Sequence, residues 1–303
     1  MTSFRTDPVR VRAPATSANL GPGYDSLGLA LHLHDEVQAR ITPHGYTMNT
    51  TGEGGSYAEG EPVLVMRAML ATFERLGGKP AGLALNCTNR IPHGRGLGSS
   101  AAAIVTGVLL ARALVVDGAD RLPDLEAFAL AVDIEGHPDN VAACFHGGLT
   151  VAWTHSAKPS AVRMTVTEAI RPVLFLPPFE TATKRARGLL PAEVPHADAA
   201  FGVGRSALLI AALTGAVPAD RGVLLAATED RLHQDYRAPV FAESISLVRA
   251  LRASGTAAVI SGAGPSVLAF ALAAAEADRL ADRTPPEWRC LALSVDRVGA
   301  EIL

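Results

Sequence analysis

The sequence predicts a protein of mixed helices and strands arranged in two domains. Three observations carry that expectation. The chain has 303 residues, and domains run to roughly 100–200 residues each. Its hydrophobic fraction is 49 % against 19 % charged, enough to fill a core and far from the composition of a disordered chain. Its apolar pattern also switches repeatedly between the two-residue period of strands and the wider spacing of helices. The stretch from His155 to Arg171 is polar and mixed, which places a boundary near residue 155 and divides the chain into 1–155 and 156–303.

Taken in order, Val9 to Ala13 alternates apolar and charged residues and reads as a half-buried strand that Pro14 should end. Residues 15–25 are small and turn-forming, hence a loop. Ser26 to Leu33 is a strand or a short helix, and residues 43–60 are a glycine-rich exposed turn at a hairpin end. A helix is expected from Val63 to Leu76, stopped by Gly77 and Gly78, then a strand from Leu83 to Thr88. An apolar helix covers Ala101 to Val116. Another runs from Pro123, a residue suited to the first turn, to Glu135 and Gly136, and His137 opens a short one. Leu149 to Trp153 and Pro172 to Phe179 read as strands. Helices follow at His196–Leu213, Asp220–Leu232 and Phe241–Ser254. Strands at Thr256–Ser261 and Val267–Leu272, an alanine-rich helix at Ala273–Arg283 and a last strand at Cys290–Val295 complete the chain.

Composition excludes several classes of function. The formal net charge is −3, with no long cationic run, which argues against nucleic-acid binding by charge. Cys87, Cys144 and Cys290 are odd in number and far apart, so neither a disulfide framework nor a structural zinc site is expected. The first fifteen residues lack the apolar core of a signal peptide. The longest apolar stretch, Ala101 to Val116, falls short of the roughly 18–20 residues that span a bilayer. A soluble, cytoplasmic protein without membrane or nucleic-acid partners is the expectation.

The segment richest in chemistry is Pro92-His93-Gly94-Arg95-Gly96-Leu97-Gly98-Ser99-Ser100-Ala101-Ala102. Three alternate glycines let backbone approach a ligand closely. The helix that follows offers free N–H groups and the positive end of its dipole, a site suited to phosphate. The two serine hydroxyls either cap that helix or reach phosphate and metal-bound water. No lysine follows the last glycine, so this is not a Walker loop. The spacing is GxGxG, so it is not the dinucleotide fingerprint either. A side chain at Gly98 is expected to fill the space where backbone meets phosphate, and Gly94 to add only flexibility.

That segment resembles the ATP-binding loop of the GHMP kinases, and further matches lie along the chain. Residues Pro14 to Gly28 (PATSANLGPGYDSLG) are similar to the N-terminal motif of the family's homoserine kinase branch, and Ser261 to Val267 (SGAGPSV) to the C-terminal glycine motif. Glu135-Gly136-His137-Pro138-Asp139-Asn140, Thr183-Lys184-x-Ala186-Arg187 and His233-Gln234-Asp235-Tyr236-Arg237 resemble signatures of the same branch. The matches run in order from residue 10 to about 270.

The resemblance implies an α+β fold with an N-terminal domain like ribosomal protein S5, a C-terminal ferredoxin-like domain and an active site between them. It implies ATP and Mg²⁺ as cofactors, L-homoserine as the small-molecule substrate and a homodimer as a possible assembly. It places the substrate's amino acid on Asn19 and Asp25, with His137 and Asn140 beside it. Its carboxylate would lie on Arg187 and Arg237, whose forked guanidiniums suit it. The resemblance puts the metal on Glu135 and Ser100, with Ser99 close behind, since a hard cation shared with phosphates takes one or two carboxylates. Asp139 stands where some relatives carry a catalytic base. A lysine used by mevalonate kinases is missing between Pro14 and Asp25, which favours the homoserine branch. Gly202, Gly204 and residues 240–243 depart from that branch's usual pattern and bear on substrate fit. A kinase of another small alcohol and a catalytically dead, ligand-sensing relative are the alternatives. The second would be expected to have lost Glu135, Asp25 or the serine pair.

Overall fold

The computed structural model describes residues 2–54, 63–181 and 183–303. Strands β1 (Val9–Ala18) and β2 (Leu27–Thr42) pair antiparallel. β3 (Gly45–Gly52) follows, then helix α1 (Leu64–Arg75) and β4 (Gly82–Asn89). Next come α2 (Ser99–Leu114), α3 (Gly118–Arg121), α4 (Asp124–Glu135) and α5 (Pro138–His146), then β5 (Leu149–His155) and β6 (Lys158–Met164). The second half holds β7 (Arg171–Leu176), α6 (Thr183–Arg187), α7 (His196–Thr214), α8 (Arg221–Ala227), a 3₁₀ turn (Asp235–Val240) and α9 (Ala242–Ala253). It ends with β8 (Ala257–Ile260), β9 (Val267–Ala271), α10 (Ala274–Ala281), β10 (Arg289–Ala292) and β11 (Glu301–Ile302).

The strands form two sheets. The larger runs β11-β1-β2-β4-β3, with β5 and β6 branching from β2; the smaller runs β10-β7-β9-β8 and is antiparallel throughout. The smaller sheet is apolar on both faces because both are covered. Leu174, Leu176, Val259, Leu268 and Phe270 join the main core, while Val173, Phe175, Ala258, Ile260, Val267 and Ala269 join a second core with Phe241, Val248, Leu251 and Leu280 of the neighbouring helices. The period-two split explains why β8 and β9 read as unbroken apolar runs.

Several expectations needed correction. Pro14 does not end β1. The strand continues to Ala18, and the register shifts between Pro14 and Ala15, where a residue without an N–H is tolerated at an interrupted ladder. Thr16 and Ser17 therefore lie in the strand, and the loop is confined to residues 19–26. Residues 45–52 form a strand parallel to β4, while 55–60 of the same expected turn lie outside the described residues. The polar stretch after residue 155 contains β6, paired with β5 in the larger sheet, and β11 returns the C-terminus to β1.

The helix expected over 220–232 stops at Ala227, since the Asp230 carboxylate takes the N–H groups of Leu232, His233 and Gln234 and turns the chain. Finally, α7 at 19 residues is by length and composition apolar enough to cross a bilayer, which residues 101–116 are not. It nevertheless carries ion pairs from Asp198 to Arg231 and from Arg205 to Glu229. The three cysteines are free.

Candidate active site

The loop 94–98 owes its path to close contacts with two other segments. Gly96 has φ +73°, and a Cβ there would collide with the Ser261 carbonyl. The Ser261 hydroxyl donates to the Gly96 carbonyl at 2.7 Å. Gly98 has φ +66°, and its Cβ would meet the Thr16 hydroxyl. A side chain at Gly98 therefore points into the protein, and the expectation that it would fill the phosphate space is corrected. Gly98 is also the N-cap of α2, with no side-chain cap bond. The serines thus occupy the first helical positions and leave the N-terminal N–H groups facing the cleft, the geometry that accepts an anion. Gly94, with φ +63°, meets a conformational need beyond added flexibility.

The cleft lies between this helix start, the turn after β1, the α4–α5 junction and the segment after β8. It encloses about 560 Å³ of space open to solvent. Asn19, Gly94, Gly96, Leu97, Gly98, Ser99 and Ser100 line it, as do Glu135, His137, Asp139, Asn140, Arg187 and Arg237. His93 and Ala102 line a second, more apolar cavity of about 760 Å³ that shares Ser99 and Ser100 with the first. The remaining loop residues are placed elsewhere. Pro92 and Ala101 are buried in the packing, and Arg95 donates to the carbonyls of Pro177 and Pro178.

At the α4–α5 junction, the Ser100 hydroxyl donates to Glu135 Oε1 at 2.6 Å. Burial pushes the Glu135 carboxyl above its ordinary value, and the bond from Ser100 opposes that rise. His137 Nδ1 lies 2.9 Å from Asp139 Oδ1, and its Nε2 is 3.8 Å from Glu135. Burial alone would lower the His137 pKa, but the Asp139 bond together with the charges of Asp139 and Glu135 outweighs it and the net shift is upward. The same Asp139 oxygen accepts the Asn140 N–H at 2.7 Å, and Thr16 donates to the Asn140 side chain at 2.7 Å.

On the opposite wall, Asn19 and Asp25 both adopt left-handed backbone, with φ +68° and +52°. Asn19 bridges segments by donating to the Gly262 carbonyl and accepting the Asp25 N–H, each at 2.9 Å. Arg187 grips Asp25 through two bonds of 2.6 and 3.1 Å and also donates to the Tyr24 hydroxyl. Arg237 is 1 % exposed. No carboxylate pairs with it among the described residues; its partners are His233 Nδ1 at 3.1 Å and the carbonyls of Ala186 and Gly262. Both guanidiniums lie against the Tyr24 ring, at 5.8 and 5.5 Å. Asp25 is thus taken up by Arg187, and Arg237 keeps a positive charge on this wall with no carboxylate among the described residues bonded to it. Burial, and to a lesser degree Arg187, pull the Arg237 pKa below the usual guanidinium value.

Two family models match the chain: the GHMP kinases N terminal domain over residues 63–148 and the GHMP kinases C terminal domain over 219–285. The homoserine kinase of Streptomyces avermitilis is 51 % identical over 302 residues, covering 99 % of this chain and 97 % of that one. The chain belongs to the homoserine kinases of the GHMP family. A homoserine kinase from Mycobacterium tuberculosis is 47 % identical over 84 % of this chain and 82 % of its own. The crystal structure of homoserine kinase from Cytophaga hutchinsonii superposes with a TM-score of 0.85 at 26 % identity, covering 100 % of this chain and 99 % of that one. A mevalonate kinase from L. major matches at TM-score 0.71 and 15 % identity over 99 % and 100 % of the chains, which shows the fold alone. The α+β architecture implied by the motifs is the GHMP kinase fold.

Sequence reasoning missed the residues that hold this kinase site together. Thr16 bonds to Asn140 and His233 to Arg237, while Asp230 holds the backbone turn that carries His233. His233 is fully buried; it donates through Nε2 to the Gly21 carbonyl at 2.7 Å and accepts from Arg237 at Nδ1. Its motif was visible, but its role depends on a turn that only the folded chain displays. Gly202 and Gly204 lie on α7 outside the cleft, where a Cβ at Gly202 would meet Leu232 and one at Gly204 nothing.

Proposed function

We propose that this chain transfers the γ-phosphoryl group of ATP to the side-chain hydroxyl of L-homoserine, giving ADP and O-phospho-L-homoserine, a step of threonine biosynthesis. The observation that carries this reading is the pair Arg187 and Arg237, brought from separate segments to one wall of a cleft whose other wall is a glycine-rich helix start. A bipolar amino acid fits the polar wall: its carboxylate against the two guanidiniums, its ammonium toward Asp25 and Asn19. That places its hydroxyl toward His137, Asn140 and the start of α2.

The free N–H groups of Ser99, Ser100 and Ala101, with the helix dipole behind them, receive the phosphates. The adjoining cavity, lined by Val37, Met48, Val65, Ala102 and Ala103, is apolar enough for the base. Glu135 and Ser100 fit a divalent cation, because a buried carboxylate whose pKa is raised gains from a positive partner. When bound there, Mg²⁺ neutralises charge on the phosphates. Asp25, Asp139 and Glu135 are all engaged, with Arg187, His137 and Ser100 respectively. Among the described residues, no cleft carboxylate stands free of a partner as a dedicated base, consistent with a transfer driven by positioning and electrostatics.

A coupled ADP-release assay across homoserine, mevalonate, galactose and serine tests the assignment: homoserine should be turned over at least tenfold better than the others, and preference for another alcohol overturns it. A cytoplasmic location, a homodimer and a two-domain division belong to the same proposal, with the boundary moved from residue 155 to beyond β6, which pairs with β5 in the larger sheet. Fractionation, gel filtration and limited proteolysis test them in turn.

A further inference from the structure

We propose that His32, His34 and Asp296 form a second metal site, outside the kinase cleft, for a divalent transition ion of the zinc class. One ligand atom from each residue lies within 4.8 Å of the other two. Asp296 Oδ2 is 2.7 Å from His34 Nε2 and 3.6 Å from His32 Nδ1. Ligands at about 2.0–2.1 Å from a tetrahedral ion stand about 3.3 Å apart, so both separations bracket the spacing required. The two imidazoles meet edge to face, with centroids 4.6 Å apart.

The backbone builds this cluster. Ala15 pairs with Leu31 and Pro14 with His34, so His32 and Leu33 are extra residues bulged from β2. A bulge re-aims side chains, and here the released backbone pairs instead with the C-terminal segment. The His32 N–H donates to the Ser294 carbonyl and the Asp296 N–H to the Ala30 carbonyl. The result sets both histidines over the Asp296 carboxylate. Its other oxygen, Oδ1, accepts the N–H groups of Val298 and Gly299 at 3.0 and 2.7 Å. Those bonds act as an outer shell that aims Oδ2 at the imidazoles. His34 is buried and His32 is 60 % exposed at the side chain, which leaves an entry path and an open coordination position.

Two imidazoles and one carboxylate favour zinc, cobalt or nickel over magnesium. The ion would clamp the segment 294–300, which ties β2 to the end of α5 through Gly148 N–H to the Asp296 carbonyl and Ala300 N–H to the Cys144 carbonyl. Binding only to the folded form, it raises stability by mass action.

The test uses the full chain freed of metal by chelator and titrated with Zn²⁺ and Co²⁺. One ion should bind per chain, with visible cobalt bands of a nitrogen and oxygen site and a rise in Tm. Mg²⁺ should not compete. His32→Ala, at an exposed side chain that folding does not need, should weaken binding by at least about 10–100-fold, the loss that even an outer-shell partner costs, and abolish the Tm rise. Asp296→Asn should do the same. Absence of saturable binding overturns the proposal, as does binding unchanged in both variants. Cobalt–thiolate bands, which place the ion on a cysteine, overturn it too. Since none of these readouts is kinase activity, failure here leaves the assignment of the cleft untouched.

Discussion

Replacing Arg237 by alanine separates the roles of the two arginines. Arg237 is almost fully buried, has no carboxylate partner among the described residues, and is held by a neutral histidine and two carbonyls. Its charge is therefore uncommitted among the described residues and open to the substrate carboxylate proposed for it. A hydrogen bond to a charged group contributes about 1.5–3 kcal/mol, and each 1.4 kcal/mol is about tenfold. Arg237→Ala should then lower kcat/KM for homoserine by about tenfold to a hundredfold while the KM for ATP stays unchanged. 3-Aminopropan-1-ol, which lacks the carboxylate, should be a poor substrate of the wild type and indifferent to the change.

Arg187→Ala should behave differently. Arg187 already holds Asp25 by two bonds, so its loss also releases the group proposed for the ammonium, and aminopropanol turnover should fall as well. The assay is steady-state ADP release with both substrates, with Tm measured to confirm a folded Arg237→Ala. Equal loss for both substrates in that variant would refute the carboxylate role. A loss of ATP affinity would make Arg237 a phosphate ligand.

Three further outcomes follow from the geometry. Glu135→Gln, which keeps size and removes charge, should cut turnover by orders of magnitude and raise the Mg²⁺ concentration needed for half-maximal rate; an unchanged magnesium curve would move the metal elsewhere. Gly98→Ala combines left-handed strain of about 1–2 kcal/mol with loss of the Thr16–Asn140 hydrogen bond, about 1 kcal/mol. A fall in stability of about 2–3 kcal/mol by denaturant titration is expected, and wild-type stability would contradict the contact. His233→Leu removes the acceptor that orients Arg237 and should raise KM for homoserine about tenfold with kcat little changed. Burial, with smaller opposing effects from Asp230 and others, holds the His233 pKa below 6.5. The unfolded chain therefore takes up a proton that the folded chain refuses, and stability falls as pH drops below 6.5. That acid loss should be smaller in His233→Leu; an identical pH profile would show that His233 does not contribute it.

The parts of this site readable in the sequence are those whose chemistry is local. Ser99 and Ser100 at a helix start, or the glycines before them, declare their use through backbone rules that act over a few residues. So do the ends of α1, α4 and α5, which Gly77, Pro123, Gly136 and Pro138 mark within a residue or two. What escaped was set by distant partners. Pro14 reads as a terminator until β2 is seen to bulge opposite it. Residues 228–232 read as helix because nothing local shows that the Asp230 carboxylate will capture three backbone N–H groups ahead of it. That one capture turns the chain after α8, buries His233 against the Gly21 carbonyl and sets its Nδ1 toward Arg237. The guanidinium named from a five-residue motif thus reaches the cleft because of an aspartate outside the motif. The motif supplies the guanidinium and the turn supplies its aim, so the carboxylate site proposed for homoserine depends on Asp230 as much as on Arg237.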